Sequence, residues 1–317
     1  MSLFSLYTHE GPLRRIKEDT AVTLGVFDGV HRGHRALLRQ LEGGAPTAVT
    51  LTSHPSFVLG RRGSEDWLDE ADEHIRLLLQ AGVKYVAVMP FTEEVARMTA
   101  CQLVRLMHDE LRMQTLLLGY DGRFGCRTRP KGLNDTLEGA CDDFDRLPQL
   151  ADELGIMLKH GTPYLLEGEP VSSSRIRRAL GEGNVEEAAT LLGRPYGIGG
   201  TVAHGRGVGH TLGFPTANID LGGSRKTLPC EGVYVVRLGN PEERVRHIGM
   251  ANLGTAPTYG VEQRLLEVHL LDYSGDLYGQ TVLVEFLHRL RDIRRFDSQE
   301  ALQRQLTLDL EQTRQWS

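Results

Sequence analysis

Residues 21–44 read AVTLGVFDGVHRGHRALLRQLEGG. The apolar run AVTLGVF ends in Asp28-Gly29, a turn signal, and Leu37, Leu38 and Leu41 then recur at helical spacing. The segment therefore reads as strand, loop and helix. Further apolar runs stand at 46–53 (PTAVTLTS), 83–91 (VKYVAVMPF) and 114–120 (QTLLLGY), with amphipathic stretches at 73–81 and 101–111 between them. Short strands that are apolar throughout, separated by helices, are what a parallel sheet covered on both faces requires. Up to about Gly155 the pattern predicts an α/β domain with a Rossmann-like, doubly wound parallel sheet.

Beyond Pro170 the texture changes. The stretch 171–196, VSSSRIRRALGEGNVEEAATLLGRPY, predicts two short helices with a break at Gly181–Asn184. From Ile198 onward, Gly-rich turns separate TVAHG, GVYVVRLG, VRHIGMANLG, RLLEVHLLDY and QTVLVEFLHRL. Runs rich in Val, Leu and Tyr at such spacing predict a small β-barrel. The end, 296–315, opens with Asp297 or Ser298 as a cap and carries Leu302, Leu306 and Leu310 at four-residue intervals, which predicts a C-terminal helix over the barrel. The expected domains are 1–183 and 184–317.

The 317 residues suit two domains, and 40% hydrophobic with 25% charged residues suits folded cores. A net charge of -6 argues against a nucleic-acid binder, which gathers Lys and Arg against phosphates. The four cysteines, Cys101, Cys126, Cys141 and Cys230, show no CxxC pairing, so neither a zinc site nor a disulfide framework is indicated. No membrane-length apolar run and no leader pattern are visible. The expected location is the cytoplasm; the oligomeric state is not legible.

In GVFDGVHRGH, residues 25–34, two histidines three apart sit where a strand hands over to a helix. A helix N-terminus offers unpaired N–H groups and partial positive charge to phosphates, and Gly29 and Gly33 permit close backbone approach. His31 and His34 can donate to a triphosphate as pyrophosphate leaves, which implies nucleotidyl transfer. The bland alternative is a helix cap with a surface histidine. Ser172 to Ser174, leading into a helix with Arg175 and Arg177, form a second phosphate-type group, or simply a capped helix with solvated arginines.

Residues 205–220, GRGVGHTLGFPTANID, contain neither a Walker A loop nor GxGxxG. Alternating Gly205, Gly207 and Gly209 can still form a flap whose amides wrap phosphates, while Thr216 and Asn218 offer hard oxygens to Mg2+. A Gly-rich hairpin followed by a structural turn reads equally well. Glu267, in LEVHLLD, is either a proton acceptor or an outward-facing strand carboxylate.

The order GVFDGVHRGH, LTSHP, LGYDGRFG, SSSRIRRAL resembles the FAD synthetase domain of the prokaryotic bifunctional riboflavin kinase/FMN adenylyltransferase family. LGFPTANI, EGVYVV, ANLGTAPTYG, LEVHLLDYSGDLYG and RRFDSQEAL follow its riboflavin kinase domain in the same order. The resemblance implies ATP and Mg2+ as cofactors, with riboflavin, FMN and FAD as the other ligands. It implies that His31 and His34 contact ATP phosphates within a loop shared with Gly25, Phe27, Asp28, Gly29 and Gly33. Asp121 and Arg123 would lie beside the ATP and FMN pockets, and Ser172, Ser173 and Arg177 would complete the nucleotide site. In the kinase half, Gly205, Gly207, Gly209, Gly213 and Pro215 would shape the flap. Thr216 and Asn218 would hold Mg-ATP, and Glu267 would take the proton of the riboflavin 5'-hydroxyl. The sequence departs from the family at Val26, where Asn is common, at Gly122, where an aromatic is usual, at Ser174, for Thr, and at His210, for Arg. Two other readings stay open: a riboflavin kinase with a degenerate first domain, and a nucleotidyltransferase for another phosphorylated molecule with a flavin-binding barrel.

Overall fold

The computed structural model describes residues 3–51, 66–120, 122–125, 143–204, 214–241, 246–258 and 261–316. The chain divides into two compact units, Met1–Ser172 and Ser173–Ser317.

In the first unit the predicted strands are β3 (Thr20–Leu24), β4 (Ala45–Leu51), β5 (Tyr85–Met89) and β6 (Met113–Leu118), joined by β7 (Met157–His160). All five run parallel in the order β5-β4-β3-β6-β7. A hairpin not foreseen in the sequence, β1 (Ser5–Thr8) and β2 (Gly11–Leu13), adds two antiparallel strands at the β5 edge. Strands of four and three residues carry too little alternation to be read in advance. A second small hairpin, β8 (Leu165–Leu166) with β9 (Glu169–Pro170), lies near the end of the unit.

The helices are α1 (Arg32–Leu38), α2 (Ala71–Gln80), α3 (Glu93–Arg97), α4 (Ala100–Leu111) and α5 (Leu147–Leu154). Successive strand residues feed opposite cores. Val22, Val49 and Leu116 pack with Met107 and Leu150, whereas Ala21, Ala48 and Leu117 pack with Leu38 and Leu78. That is the doubly wound arrangement the apolar runs predict. Because β3 pairs with both β4 and β6, the strand order reverses there, and the loop after β3 emerges at the carboxyl edge where such sheets bind ligands.

The second unit opens with a helical hairpin, α6 (Ser173–Gly181) and α7 (Val185–Leu192). A closed barrel follows, β10 (Tyr196–Ala203), β11 (Ala217–Asp220), β12 (Gly232–Gly239), β13 (His247–Thr258), β14 (Val261–Leu270) and β15 (Thr281–Arg291), in the order β10-β11-β14-β13-β12-β15. Every pairing among them is antiparallel. Tyr196, Tyr234 and Phe286 fill its interior, all at most 2% exposed.

The compact units meet between Ser172 and Ser173, not at 183/184 as expected. The reason is bonding: Arg175 Nε lies 3.2 Å from Glu187 Oε1, joining α6 to α7, and Cys230 N donates to Leu180 O at 2.8 Å. A Cβ on Gly183 would stand 2.5 Å from Nε of Arg289 on β15, so only glycine fits that turn, which also has a φ of +77°. The hairpin thus goes with the barrel.

The C-terminal helix, α8 (Gln299–Arg314), is capped by Ser298, which accepts from Ala301 N at 3.2 Å. Its leucines at 302, 306 and 310 are only half-buried, and its best-buried residues are Asp309 and Thr313. Asp309, 2% exposed, accepts from Arg291 Nε at 2.9 Å and from Arg291 Nη2 at 2.7 Å, and Gln305 donates to it at 2.6 Å. Removing one partner of such a pair leaves a charge out of water without compensation. Asp309→Ala is therefore expected to lower unfolding stability by about 3–5 kcal/mol, measured by denaturant titration of the barrel's near-ultraviolet signal; a change within about 1 kcal/mol would mean the helix is held by its leucines.

Candidate active sites

The first site is built by the chain leaving β3. Extended structure stops at Leu24, because Phe27, Gly29 and Val30 have φ values of 52°, 86° and 34°. Left-handed backbone is uncommon at a β-branched residue, so Val30 marks a constrained turn. The turn delivers His31 to the N-cap of α1, where its Nδ1 accepts from His34 N at 3.2 Å. With Nδ1 accepting, the neutral ring carries its proton on Nε2, which is then its donor. The rings of His31 and His34 stack at 3.5 Å, and Phe27 packs edge-on against His34 at 5.3 Å. A Cβ on Gly33 would meet Val171 O at 2.9 Å, so the motif's third glycine is a close-approach position.

His34 Nδ1 is buried, and among the described residues no group meets hydrogen-bond geometry with it. Burial holds the imidazole well below its usual pKa, and the nearby His31 and His74 act in the same direction. The Phe27 carbonyl, which also accepts from Val30 N at 2.8 Å and has a second lone pair to offer, opposes them more weakly. His34 is therefore neutral, a single N–H donor.

The other residues expected at this site are placed as follows. Asp28 is buried and its Oδ1 accepts from Leu68 N at 2.8 Å, so it fastens the loop to the chain ahead of α2. Gly25 lies where a Cβ would press on the Phe27 ring at 3.0 Å. Arg123 pairs on the surface with Asp145 at 3.1 Å and lies over the Phe144 ring at 5.1 Å. Gly122 donates to Gly119 O at 3.1 Å, and a Cβ there would stand 3.0 Å from Gly119 N, so the turn as built has little room for the family's aromatic. Ser172 ends the first unit, while Ser173 and Arg177 stand on α6 in the second. Asp121 and residues 52–55 of LTSHP lie outside the described residues.

The second site is on the barrel. The PTAN segment, for which a structural turn is one of two readings, enters a strand at Ala217, two residues after Pro215, which has no N–H to give to a ladder. β11 brings Asn218 directly opposite Glu267, and β13 places Asn252 on Glu267's other side. Leu266 and Val268, pointing inward, are fully buried; Glu267 between them lies half-buried on the outer face. Asn252 Nδ2 stands 3.5 Å from Glu267 Oε2. Asn252 lies in ANLGTAPTYG, where nothing local marks it; only the β13–β14 register brings it beside the carboxylate. Thr216, two residues before Asn218, lines a pocket of about 250 Å3 with Pro215, Ala217, Val268, Leu270 and the 273–278 segment. His269 and Pro215 O are 2.8 Å apart, which ties β14 to the start of PTAN. Gly205, Gly207, Gly209, His210 and Gly213 lie outside the described residues.

A sheet with a histidine-bearing loop at its carboxyl edge, and a barrel carrying hydroxyl, amide and carboxylate groups, define an enzyme of two phosphate chemistries. The family model for FAD synthetase matches residues 13–175, and that for riboflavin kinase matches residues 192–317. The bifunctional riboflavin kinase/FMN adenylyltransferase of Escherichia coli (strain K12) is 36% identical over 301 residues, covering 92% of this chain and 91% of that protein. Its counterpart in Bacillus subtilis (strain 168) is 34% identical, with 94% and 93% covered. A crystal structure described as a macrolide-efflux protein from Streptococcus pneumoniae superposes with a TM-score of 0.82 at 31% identity, covering 95% of this chain and 96% of that one. Among the described residues no helix is long and apolar enough to cross a membrane.

The chain belongs to the bifunctional riboflavin kinase/FMN adenylyltransferase family. It phosphorylates riboflavin to FMN with ATP and adenylylates FMN to FAD.

Proposed function

We propose that adenylyl transfer is performed by the loop Gly25–His34 and riboflavin phosphorylation by the outer barrel face around Glu267. The observation that carries the first assignment is His34 Nδ1, buried and without a hydrogen-bond partner among the described residues, stacked on His31, whose Nδ1 accepts from the backbone N–H of residue 34. In adenylylation, His31 Nε2–H and the neutral His34 steady charge on the ATP phosphates as pyrophosphate departs. Gly29 and Gly33 let the backbone come close, and Gly25, Phe27 and Asp28 keep the turn in shape. Asp121, Arg123, Ser172, Ser173 and Arg177 belong to the ATP and FMN surroundings of this reaction.

In phosphorylation, Glu267 accepts the proton of the riboflavin 5'-hydroxyl as the oxygen attacks the γ-phosphate. Asn218 and Asn252, on the adjoining strands, steady the carboxylate and the hydroxyl from either side. The flap of Gly205, Gly207, Gly209 and Gly213 wraps the phosphates, with Pro215 fixing its exit. Thr216 and Asn218 present two hard oxygens at alternate positions, which fits Mg2+ better than a softer metal. When bound there, Mg2+ would neutralise phosphate charge.

Residues 1–183 serve adenylylation and 184–317 serve the kinase, with the α6–α7 hairpin physically part of the barrel unit. The excess of acidic over basic residues favours an enzyme of small molecules rather than a nucleic-acid binder, and scattered cysteines without CxxC pairing fit the reducing cytoplasm.

Incubating the full chain with riboflavin, ATP and Mg2+ and separating flavins over time should show FMN rising first and FAD following. A fragment of residues 173–317 should form FMN and no FAD. A folded fragment that leaves riboflavin unchanged would remove the barrel assignment.

A further inference from the structure

Beneath the loop of residues 25–34 lies a buried polar chain outside the histidine motif. Asp69, at the threshold of α2, is 3% exposed; His74, on α2, is 8% exposed; Thr50, on β4, is 1% exposed. Asp69 Oδ2 accepts from Gly29 N at 2.9 Å and lies 3.3 Å from His74 Nδ1. His74 Nε2 lies 3.0 Å from Thr50 Oγ1, which in turn is 3.1 Å from Val26 O. We infer that Asp69, His74 and Thr50 are positioning residues for adenylyl transfer, holding the phosphate loop by two of its backbone groups, Gly29 N and Val26 O. The inference rests on the reading of that loop as the phosphate site.

Phe27, between the two struts, Gly29, which carries one of them, and Val30, just beyond it, are left-handed, and two of these have side chains. Such a turn persists only when its surroundings over-determine it. Gly29 N and Val26 O bracket the turn, and each is bound to a different element, one at the start of α2 and the other on β4. His74 ties the two struts into one unit, and its place within the electrostatic reach of His34 shows how closely the chain underlies the motif.

A carboxylate and a carbonyl only accept, and a threonine hydroxyl has a single proton. Thr50 gives that proton to Val26 O and meets His74 Nε2 through its oxygen, while Asp69 accepts from Gly29 N and faces His74 Nδ1. The geometry of the loop thus depends on the hydroxyl at position 50 and on the carboxylate at position 69, and not merely on volume filled there.

The test uses the full chain, with kcat and KM for FAD formation from supplied FMN and with thermal unfolding measured alongside. Thr50→Val keeps the shape and removes the hydroxyl, and Thr50→Ser restores it; Asp69→Asn keeps the shape and removes the charge. Misplacing a catalytic group by about an ångström costs up to about 100-fold. Thr50→Val and Asp69→Asn are therefore expected to lower kcat for FAD formation by about 10- to 100-fold, with KM for FMN little changed. Thr50→Ser should recover most of the loss, and riboflavin phosphorylation by the same preparations should continue at the parent rate. The inference is overturned if folded Thr50→Val retains kcat within about twofold of the parent, or if Thr50→Ser is as impaired as Thr50→Val, since the loss would then come from packing. Should His34→Ala also leave FAD formation intact, the fault lies with the reading of the loop; if only His34→Ala is impaired, that reading stands and the brace alone fails.

Discussion

Glu267→Gln is expected to reduce riboflavin phosphorylation by about 100- to 10,000-fold, the usual worth of a general base. The substitution keeps side-chain volume at a half-buried position whose neighbours, Leu266 and Val268, carry the packing of β14. Little stability should be lost, and ATP binding should survive because Thr216 and Asn218 are untouched. FMN supplied from outside should still become FAD at the parent rate, since that chemistry belongs to the other unit. The measurement is steady-state FMN formation with FAD formation assayed in parallel. If phosphorylation stays within about twofold of the parent, far less than the loss of a base implies, Glu267 is a surface carboxylate of its strand. Asp276 is then the next acceptor to try, because it lines the pocket that Thr216 shares. Asp272 is less suitable, being engaged with Arg314 at 3.2 Å.

The doubly wound half was legible because its strands are apolar on both faces, a pattern that burial between two helix layers imposes residue by residue. The barrel was legible in outline, but the second of its six strands was not. Ala217–Asp220 is four residues long and follows a proline, so nothing local distinguishes it from a turn; the partners on β10 and β14 make it a strand. For the same reason Asn252 escaped notice. It meets Glu267 through register, a relation between residues fifteen apart in sequence that composition cannot express. The histidine motif gave up its location readily, whereas the buried Asp69–His74–Thr50 chain gave no signal, each residue being unremarkable by itself. Leucines at four-residue intervals led to a helix that does exist, but not to its anchor, because a buried carboxylate paired with Arg291 looks in sequence like any solvated acid.

His34→Ala should lower FAD formation by about 100-fold or more, the loss typical when one preorganised donor is removed from a site of developing charge. FMN formation should continue, which makes the kinase an internal control for intact protein. The effect belongs to the ring rather than to the helix cap, because the cap is made by His31 Nδ1 to the backbone N–H of residue 34, a bond that alanine retains. The same variant should alter the response to acid. In the folded chain burial keeps the His34 imidazole neutral well below its ordinary pKa of 6.5. The unfolded chain takes up that proton near pH 6.5, so in the window below it the unfolded state binds more protons than the folded one. Protonation therefore favours unfolding: this group leaves stability undiminished above about pH 6.5 and lowers it as pH falls further. Denaturant titrations of the parent and of His34→Ala at neutral pH and at about pH 5 should show a smaller acid-induced loss in the variant. An equal loss in both would mean that the ring is charged when folded, and a charged His34 would act on the triphosphate as a cation rather than as a neutral donor. An unchanged rate of FAD formation would remove the residue from the reaction altogether.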